Sequence, residues 1–74
     1  MKPKQYPPLP KNWPKPGTRM RVIMLNDMSE RIGEVYSPYV FDGIRKFPFL
    51  EDGKQVGEMI TLRLDEVIVR EIDI

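Results

Sequence analysis

Two aspartate–glycine turns bracket an apolar run in the segment DGIRKFPFLEDG, residues 42–53. Both dipeptides tolerate the positive φ that tight hairpin turns need, so each one predicts a reversal of the chain. The residues between them, 44–50, have the composition of a single β-strand. Because Pro48 lacks the N–H that a central strand must donate, the sequence predicts this strand at an edge of its sheet.

Two short strands are predicted before this segment. Residues 19–24 begin with a clean alternation that places three apolar side chains on one face: Met20, Val22 and Met24. Residues 26–30 are polar and turn-forming. Residues 32–36 form the second strand, in which Gly33 indicates a bulge or a close approach of two backbones. Pro38 then predicts a bend or an edge.

Two further strands are predicted after it. Residues 55–64 form one of them, with Ile60, Leu62 and Leu64 facing inward and with Thr61 and Arg63 facing outward. The pair Asp65-Glu66 predicts a short turn or one turn of 3₁₀ helix, and residues 67–72 close the chain. No segment has an apolar stripe of helical period. The pattern therefore predicts an all-β domain of five short strands.

This pattern resembles the SH3-like small-barrel superfamily at three places. PGTRMRV (16–22) is similar to the opening of such barrels, and also to that of short uncharacterised phage and mobile-element proteins. RIGEV (31–35) resembles the second strand of KOW-type barrels. LDEV (64–67) is similar to the 3₁₀ step before the final strand in the photosystem I accessory subunits of this fold. The resemblance implies a five-stranded SH3-like barrel over residues 17–74 and leaves the function open.

The charge and the prolines are divided along the chain. Residues 1–21 carry six cations and no acid, whereas residues 22–74 carry six cations and eleven acids, a net charge of −5. Six of the eight prolines lie in residues 1–16. These features predict a basic, proline-rich, extended arm (1–16) before an acidic domain. Residues 4–10 fit the K-x-x-P-x-x-P pattern that SH3 domains bind, although the arm could equally pack on its own barrel or stay loose.

The composition argues against catalysis. The chain has no cysteine and no histidine, which removes the thiol nucleophile, the most common general base and the most common metal ligand. The sequence therefore predicts no enzyme, no metal site and no cofactor. It also has no apolar run long enough for a signal peptide or a membrane span, which predicts a cytoplasmic protein without a membrane partner.

The aromatic residues are the predicted site for a protein partner: Trp13, Tyr36, Tyr39, Phe41, Phe47 and Phe49. Five of them fall within 14 residues, and in alternating strands some must be exposed. The alternative is that most of these rings are core residues. For Trp13 the alternative is that it plugs one end of the barrel and fastens the arm. The favoured prediction is a non-enzymatic protein-binding module, an accessory subunit or adaptor, and the resemblance at residues 16–22 implies a phage or mobile element as its source.

A nucleic-acid-binding barrel is the second prediction. Its phosphate contacts would come from cations of the arm and of the strands: Lys11, Lys15, Arg19, Arg21, Arg45 and Lys46. The acidic domain opposes this function, because it repels phosphate. The free groups of short edge strands also allow two assembly states, a monomer or a homodimer paired through an edge.

Overall fold

The computed structural model describes residues 9–72, and the motif at residues 4–10 falls largely outside them. The described part contains six strands, two short 3₁₀ turns and no α-helix, which confirms the predicted all-β class. The strands are β1 Thr18–Met24, β2 Glu30–Val35, β3 Tyr39–Phe41, β4 Ile44–Glu51, β5 Ile60–Arg63 and β6 Val67–Arg70. The 3₁₀ turns are Val56–Glu58 and Leu64–Glu66.

The strands form one curled antiparallel sheet, a half-barrel. Its path runs β6–β1–β2–β4, and β4 also pairs with β3 and β5. Lys46 has partners in both β3 and β5, and Phe49 has partners in both β2 and β5. Along both stretches β5 occupies one side of β4, so β2 and β3 lie end to end along the other side of β4. The six strands therefore occupy five positions, which agrees with the predicted number.

A β-bulge separates β2 from β3. Along β2 the register pairs Val35 with Phe49, whereas along β3 it has shifted by one residue and pairs Tyr39 with Lys46. Ser37 and Pro38 therefore lie together opposite the single residue Phe47, which is the definition of a bulge. The bend that Pro38 predicts is this bulge.

Glycine determines two of the turns. Gly17 has φ 87° and follows Pro16, in a turn where the Thr18 N–H donates to the Lys15 carbonyl at 3.1 Å. Proline followed by a glycine with positive φ is the signature of a type II turn. At the β3–β4 hairpin, Asp42 and Gly43 have φ 53° and 76°, so both central residues are left-handed, as a type I′ turn requires.

The prediction that Pro48 places its strand at an edge is wrong. The strand that contains it, β4, has neighbours on both sides, and Pro48 itself lies opposite Thr61 of β5. The Tyr36 N–H donates to the Pro48 carbonyl at 3.1 Å, so the polar side of Pro48 faces the bulge and not β5. The missing N–H therefore interrupts the ladder only where the bulge already distorts it.

The prediction of a strand over residues 55–64 is wrong in its first half. The Glu58 N–H donates to the Gln55 carbonyl at 2.7 Å, and the Gln55 N–H donates to Glu58 Oε1 at 3.4 Å. These reciprocal bonds close a 3₁₀ turn and delay β5 until Ile60. Leu62 faces inward as predicted, but Ile60 is 41% exposed. The second 3₁₀ turn, at residues 64–66, is confirmed.

The core lies inside the curled sheet. Its buried members are Met20, Val22, Val35, Phe47, Phe49, Leu62 and Val67. Met24 packs against this cluster, so the inward face predicted for β1 is confirmed. Gly33 brings β2 close to β4: a Cβ added to it would lie 2.7 Å from the Glu51 Cα. The close backbone approach predicted for Gly33 is therefore present.

Candidate interaction surface

The β3–β4 hairpin presents two aromatic side chains to solvent. Tyr39 and Phe41 alternate with Val40 along β3, so both rings lie on the same face of the hairpin. Tyr39 is 39% exposed and Phe41 is 64% exposed. The left-handed turn at Asp42-Gly43 fixes the twist of the two strands and therefore holds both rings on a defined support.

A lysine completes this surface. The register places Lys46 opposite Tyr39, on the same face of the sheet. Its Nζ lies 5.4 Å from the centroid of the Phe41 ring, within the range of a cation–π contact. We call Tyr39, Phe41 and Lys46 the hairpin face. It combines apolar area, a phenol hydroxyl and a positive charge within three side chains.

Phe47 and Phe49 do not belong to this surface. Both side chains are fully buried, and they alternate with Lys46 and Pro48 along β4. They therefore point into the half-barrel and form its largest core side chains. A direct role in partner binding, as predicted from the clustering of the aromatics, does not fit this burial. Phe47 and Phe49 are core residues, as the alternative interpretation of the aromatic cluster states.

Trp13 fastens the described end of the arm to the half-barrel. Its indole Nε1–H donates to the Tyr36 carbonyl at 2.9 Å. Its ring packs edge-on against Phe47, with the ring centroids 5.0 Å apart and the planes at 61°. This geometry fits the prediction that Trp13 plugs the barrel and fastens the arm. A tryptophan that anchors a partner keeps its N–H available for that partner, whereas the Trp13 N–H already has an acceptor within the fold.

The position of the indole has a reason in the sheet. In a regular antiparallel pair, Tyr36 and Pro48 would exchange two hydrogen bonds, one in each direction. The Tyr36 N–H donates to Pro48, but Pro48 has no N–H to return. The Tyr36 carbonyl would therefore lack its ladder donor, and the Trp13 indole supplies one from outside the ladder.

Tyr36 is occupied at its other end as well. Its hydroxyl donates to Glu34 Oε1 at 3.0 Å, and the residue is half-buried. This hydrogen bond, with a smaller effect of burial, raises the pKa of Tyr36 above its ordinary value. Both the backbone and the side chain of Tyr36 thus have hydrogen-bond partners within the fold, and its ring is less exposed than the rings of Tyr39 and Phe41.

The cations proposed for nucleic-acid binding do not form one patch. Arg19 pairs with Asp52, and Arg21 lies 3.8 Å from Glu30. Arg45 and Lys46 are consecutive in β4, so they lie on opposite faces of the strand. The remaining two members of the set, Lys11 and Lys15, are exposed in the arm. Arg19 and Arg21 therefore have carboxylates beside them, and Arg45 and Lys46 lie on different faces of the sheet.

The loop between β1 and β2 contains exposed apolar residues that the sequence did not indicate. Met28 is 63% exposed and has φ 61°, and Leu25 is 44% exposed. A left-handed backbone is uncommon for any residue except glycine and asparagine. Residues 26–30 form a polar turn in sequence, and no pattern in that turn distinguishes Met28.

Asp27 organises this loop, and its titration tests the geometry. Its Oδ1 accepts from the Ser29 hydroxyl at 2.7 Å and from the Ser29 N–H at 2.9 Å. These bonds, the hydroxyl first, lower the pKa of Asp27. These bonds therefore stabilise the fold at any pH above about 3.9, the pKa of aspartate in an unfolded chain. The stabilisation is lost as the pH falls through the lower pKa that Asp27 has in the folded chain. Carboxyl NMR should give a midpoint below that value, and Ser29→Ala should raise it; an unchanged midpoint would contradict the bond.

Residues 9–72 contain neither a metal-binding cluster nor a membrane-spanning helix. No three side chains of His, Cys, Asp or Glu lie close enough together in this range to hold a metal ion. No helix within the same residues has the length and apolar character needed to cross a membrane.

Comparison with known proteins finds no matching family model, no matching curated protein and no matching solved structure. Among residues 9–72, the hairpin face presents the most exposed aromatic ring, that of Phe41.

Proposed function

We propose that this chain is a non-enzymatic protein-binding module, an accessory subunit or adaptor, that contacts its partner through the hairpin face. The observation that carries the proposal is the exposure of Phe41, which leaves 64% of a large apolar side chain in water. Exposed aromatic side chains on a rigid support are the typical anchors of protein interfaces. A partner that covers Phe41 and Tyr39 would bury their apolar area without first having to order the hairpin.

The strand order supports an SH3-like barrel as the scaffold. The chain runs through a meander, a 3₁₀ turn at residues 64–66 and a last strand, β6, that returns to β1. This order agrees with the resemblance described for residues 16–22, 31–35 and 64–67. Barrels of this kind carry many unrelated functions, so the scaffold supports the proposal only by providing a rigid hairpin.

Binding of nucleic acid is less favoured by the same geometry. Phosphate contacts need cations that are free to exchange counterions for phosphate. Arg19 and Arg21 already have carboxylate partners at Asp52 and Glu30. Lys46 lies over an aromatic ring that could stack a base, but the neighbouring Asp42 places a negative charge at the same turn.

A site-specific crosslink tests the proposal. A photoreactive phenylalanine analogue at position 41 should capture a discrete partner protein in the cell that encodes the chain. The same analogue at position 56 is the matched control, because Val56 is 73% exposed but lies in the loop between β4 and β5. Phe41→Ala should weaken binding of the captured protein at least tenfold, about 1.4 kcal/mol, and leave the urea midpoint unchanged.

Three outcomes would contradict the proposal: no adduct at position 41, equal adducts at positions 41 and 56, or full affinity in Phe41→Ala. The contribution of the arm is best tested by removing residues 1–8. Removing residues 1–14 would also delete Trp13, which packs on the core, and would mix a loss of stability with a loss of binding.

A further inference from the structure

The outer edge of β3 presents one residue whose backbone groups point away from the sheet. The type I′ turn at Asp42-Gly43 makes Phe41 and Ile44 a hydrogen-bonded pair, so Val40 occupies the next, non-hydrogen-bonded position. The N–H and the C=O of Val40 therefore point away from β4. Within residues 9–72, β4 is the only strand that pairs with β3, and no loop makes a backbone hydrogen bond to this edge.

The space beside this edge results from the different lengths of neighbouring strands. β1 begins at Thr18, opposite Val35, whereas the line of β2 and β3 continues to Phe41. Before Thr18 the chain leaves this line, because Trp13 packs against the core. The edge of β3 thus projects beyond β1 as a step in the sheet. A strand edge with unpaired N–H and C=O groups is a template for another strand.

We propose that this edge pairs with the same edge of a second copy of this chain, in a two-fold dimer centred on Val40. A half-turn brings the outward N–H of each Val40 to the outward C=O of the other, so both groups gain a partner. The two β3 strands can pair in this register only, because no other residue of β3 has outward backbone groups. The hairpins of the two copies then form one continuous antiparallel sheet.

The side chains match in the same register. Tyr39 lies opposite Phe41 of the second copy, and Phe41 lies opposite its Tyr39. These are non-hydrogen-bonded positions, where opposite side chains come closest, and aromatic pairs at such positions stabilise a sheet. Each row across the sheet places Lys46 beside Tyr39 of one copy and Ile44 beside Phe41 of the other. The two lysines are therefore not opposed.

The contact is small, because only one short strand of each copy takes part. It falls below the about 1,200 Å² of standard interfaces, so the dimer is weak and depends on concentration. The outer surfaces of the paired rings stay uncovered, and the two hairpin faces become one surface. The dimer does not rest on the proposed function, because it depends on the backbone edge whether or not another protein covers the rings.

Disulfide trapping tests the register, since the chain has no cysteine of its own. Full-length Tyr39→Cys and Phe41→Cys chains, distinguished by mass, are mixed in equal amounts in a buffer of reduced and oxidised glutathione. The disulfide between the two variants should exceed that within either variant about tenfold, because two copies of one variant place their thiols diagonally, at a Cα separation too long for a disulfide. In urea that unfolds the chain, this preference should disappear.

Val40→Pro, made in both cysteine variants, tests the backbone pairing. It removes the outward N–H and no hydrogen bond of the hairpin, and proline is tolerated at such edge positions, so the fold should remain and the preference should be lost. Val40→Ala is the matched control, because it keeps the N–H and should keep the preference. Circular dichroism checks the fold of each variant. A statistical mixture of disulfides without any change at Val40 overturns the proposal, and so does a preference that survives Val40→Pro or persists in urea.

Discussion

Gly33→Ala should destabilise the half-barrel by about 3 kcal/mol, the upper end of the usual cost of overpacking a close contact. The added Cβ would overlap the Leu50 carbonyl and lie 2.7 Å from the Glu51 Cα. These are backbone atoms of β4, so no side chain can rotate away to relieve the contact. The gain from replacing glycine within a strand, about 0.5–1 kcal/mol, is smaller than this cost. Urea denaturation followed by circular dichroism measures the difference.

Gly57→Ala is the matched control for this prediction. A Cβ at Gly57 has no neighbour within 4 Å, and the residue lies in the 3₁₀ turn Val56–Glu58. Its urea midpoint should stay close to that of the parent. Equal midpoints for Gly33→Ala and Gly57→Ala would contradict the close approach of β2 and β4. Because a domain of this size has only about 4–11 kcal/mol of stability, the predicted loss at Gly33 is a large share of it.

Trp13→Ala should cost about 2–3 kcal/mol, somewhat less than the removal of a fully buried aromatic ring, because Trp13 is half-buried. The substitution removes both the contact with Phe47 and the donor to the Tyr36 carbonyl. Trp13→Phe keeps one aromatic ring but removes the N–H donor together with part of the indole, so it should cost less than Trp13→Ala and at least the roughly 1 kcal/mol of the hydrogen bond. Thermal and urea unfolding of the two variants measure both costs.

Leu9→Ala provides the control within the arm. Leu9 is 41% exposed and has no place in the core cluster, so its replacement should change the urea midpoint very little. If Trp13→Ala were equally neutral, Trp13 would not fasten the arm. The expected contrast means that the folded unit extends at least to Trp13, although the composition of residues 1–16 marks all of them as an arm.

Local patterns in the sequence were sufficient for most of the strands. The alternation in residues 19–24 places Met20 and Val22 in the core, and Asp42-Gly43 forms the tight hairpin that its composition predicts. Gly33 approaches a backbone as expected. These features depend on neighbours in the chain or on the intrinsic preferences of glycine, so they can be recognised without knowledge of the fold.

The features that were missed depend on contacts between distant segments. Pro48 is compatible with an interior strand only because its partner Tyr36 adjoins a bulge and an indole 35 positions earlier in the chain supplies the absent donor. Residues 55–59 directly precede the alternating residues 60–64 and are predicted as part of the same strand, but reciprocal bonds between Gln55 and Glu58 close a turn. Which aromatic rings are exposed likewise depends on the side of β4 that each one occupies.

The Trp13 indole replaces the backbone N–H that Pro48 lacks. A double-mutant cycle between Trp13→Phe and Pro48→Ala tests this replacement, with the free energy of unfolding as the readout. The Pro48→Ala substitution restores a backbone N–H directed at the Tyr36 carbonyl, so Trp13→Phe should cost about 1 kcal/mol less in that background than in the parent. Costs for Trp13→Phe that are equal in the two backgrounds would contradict the claim.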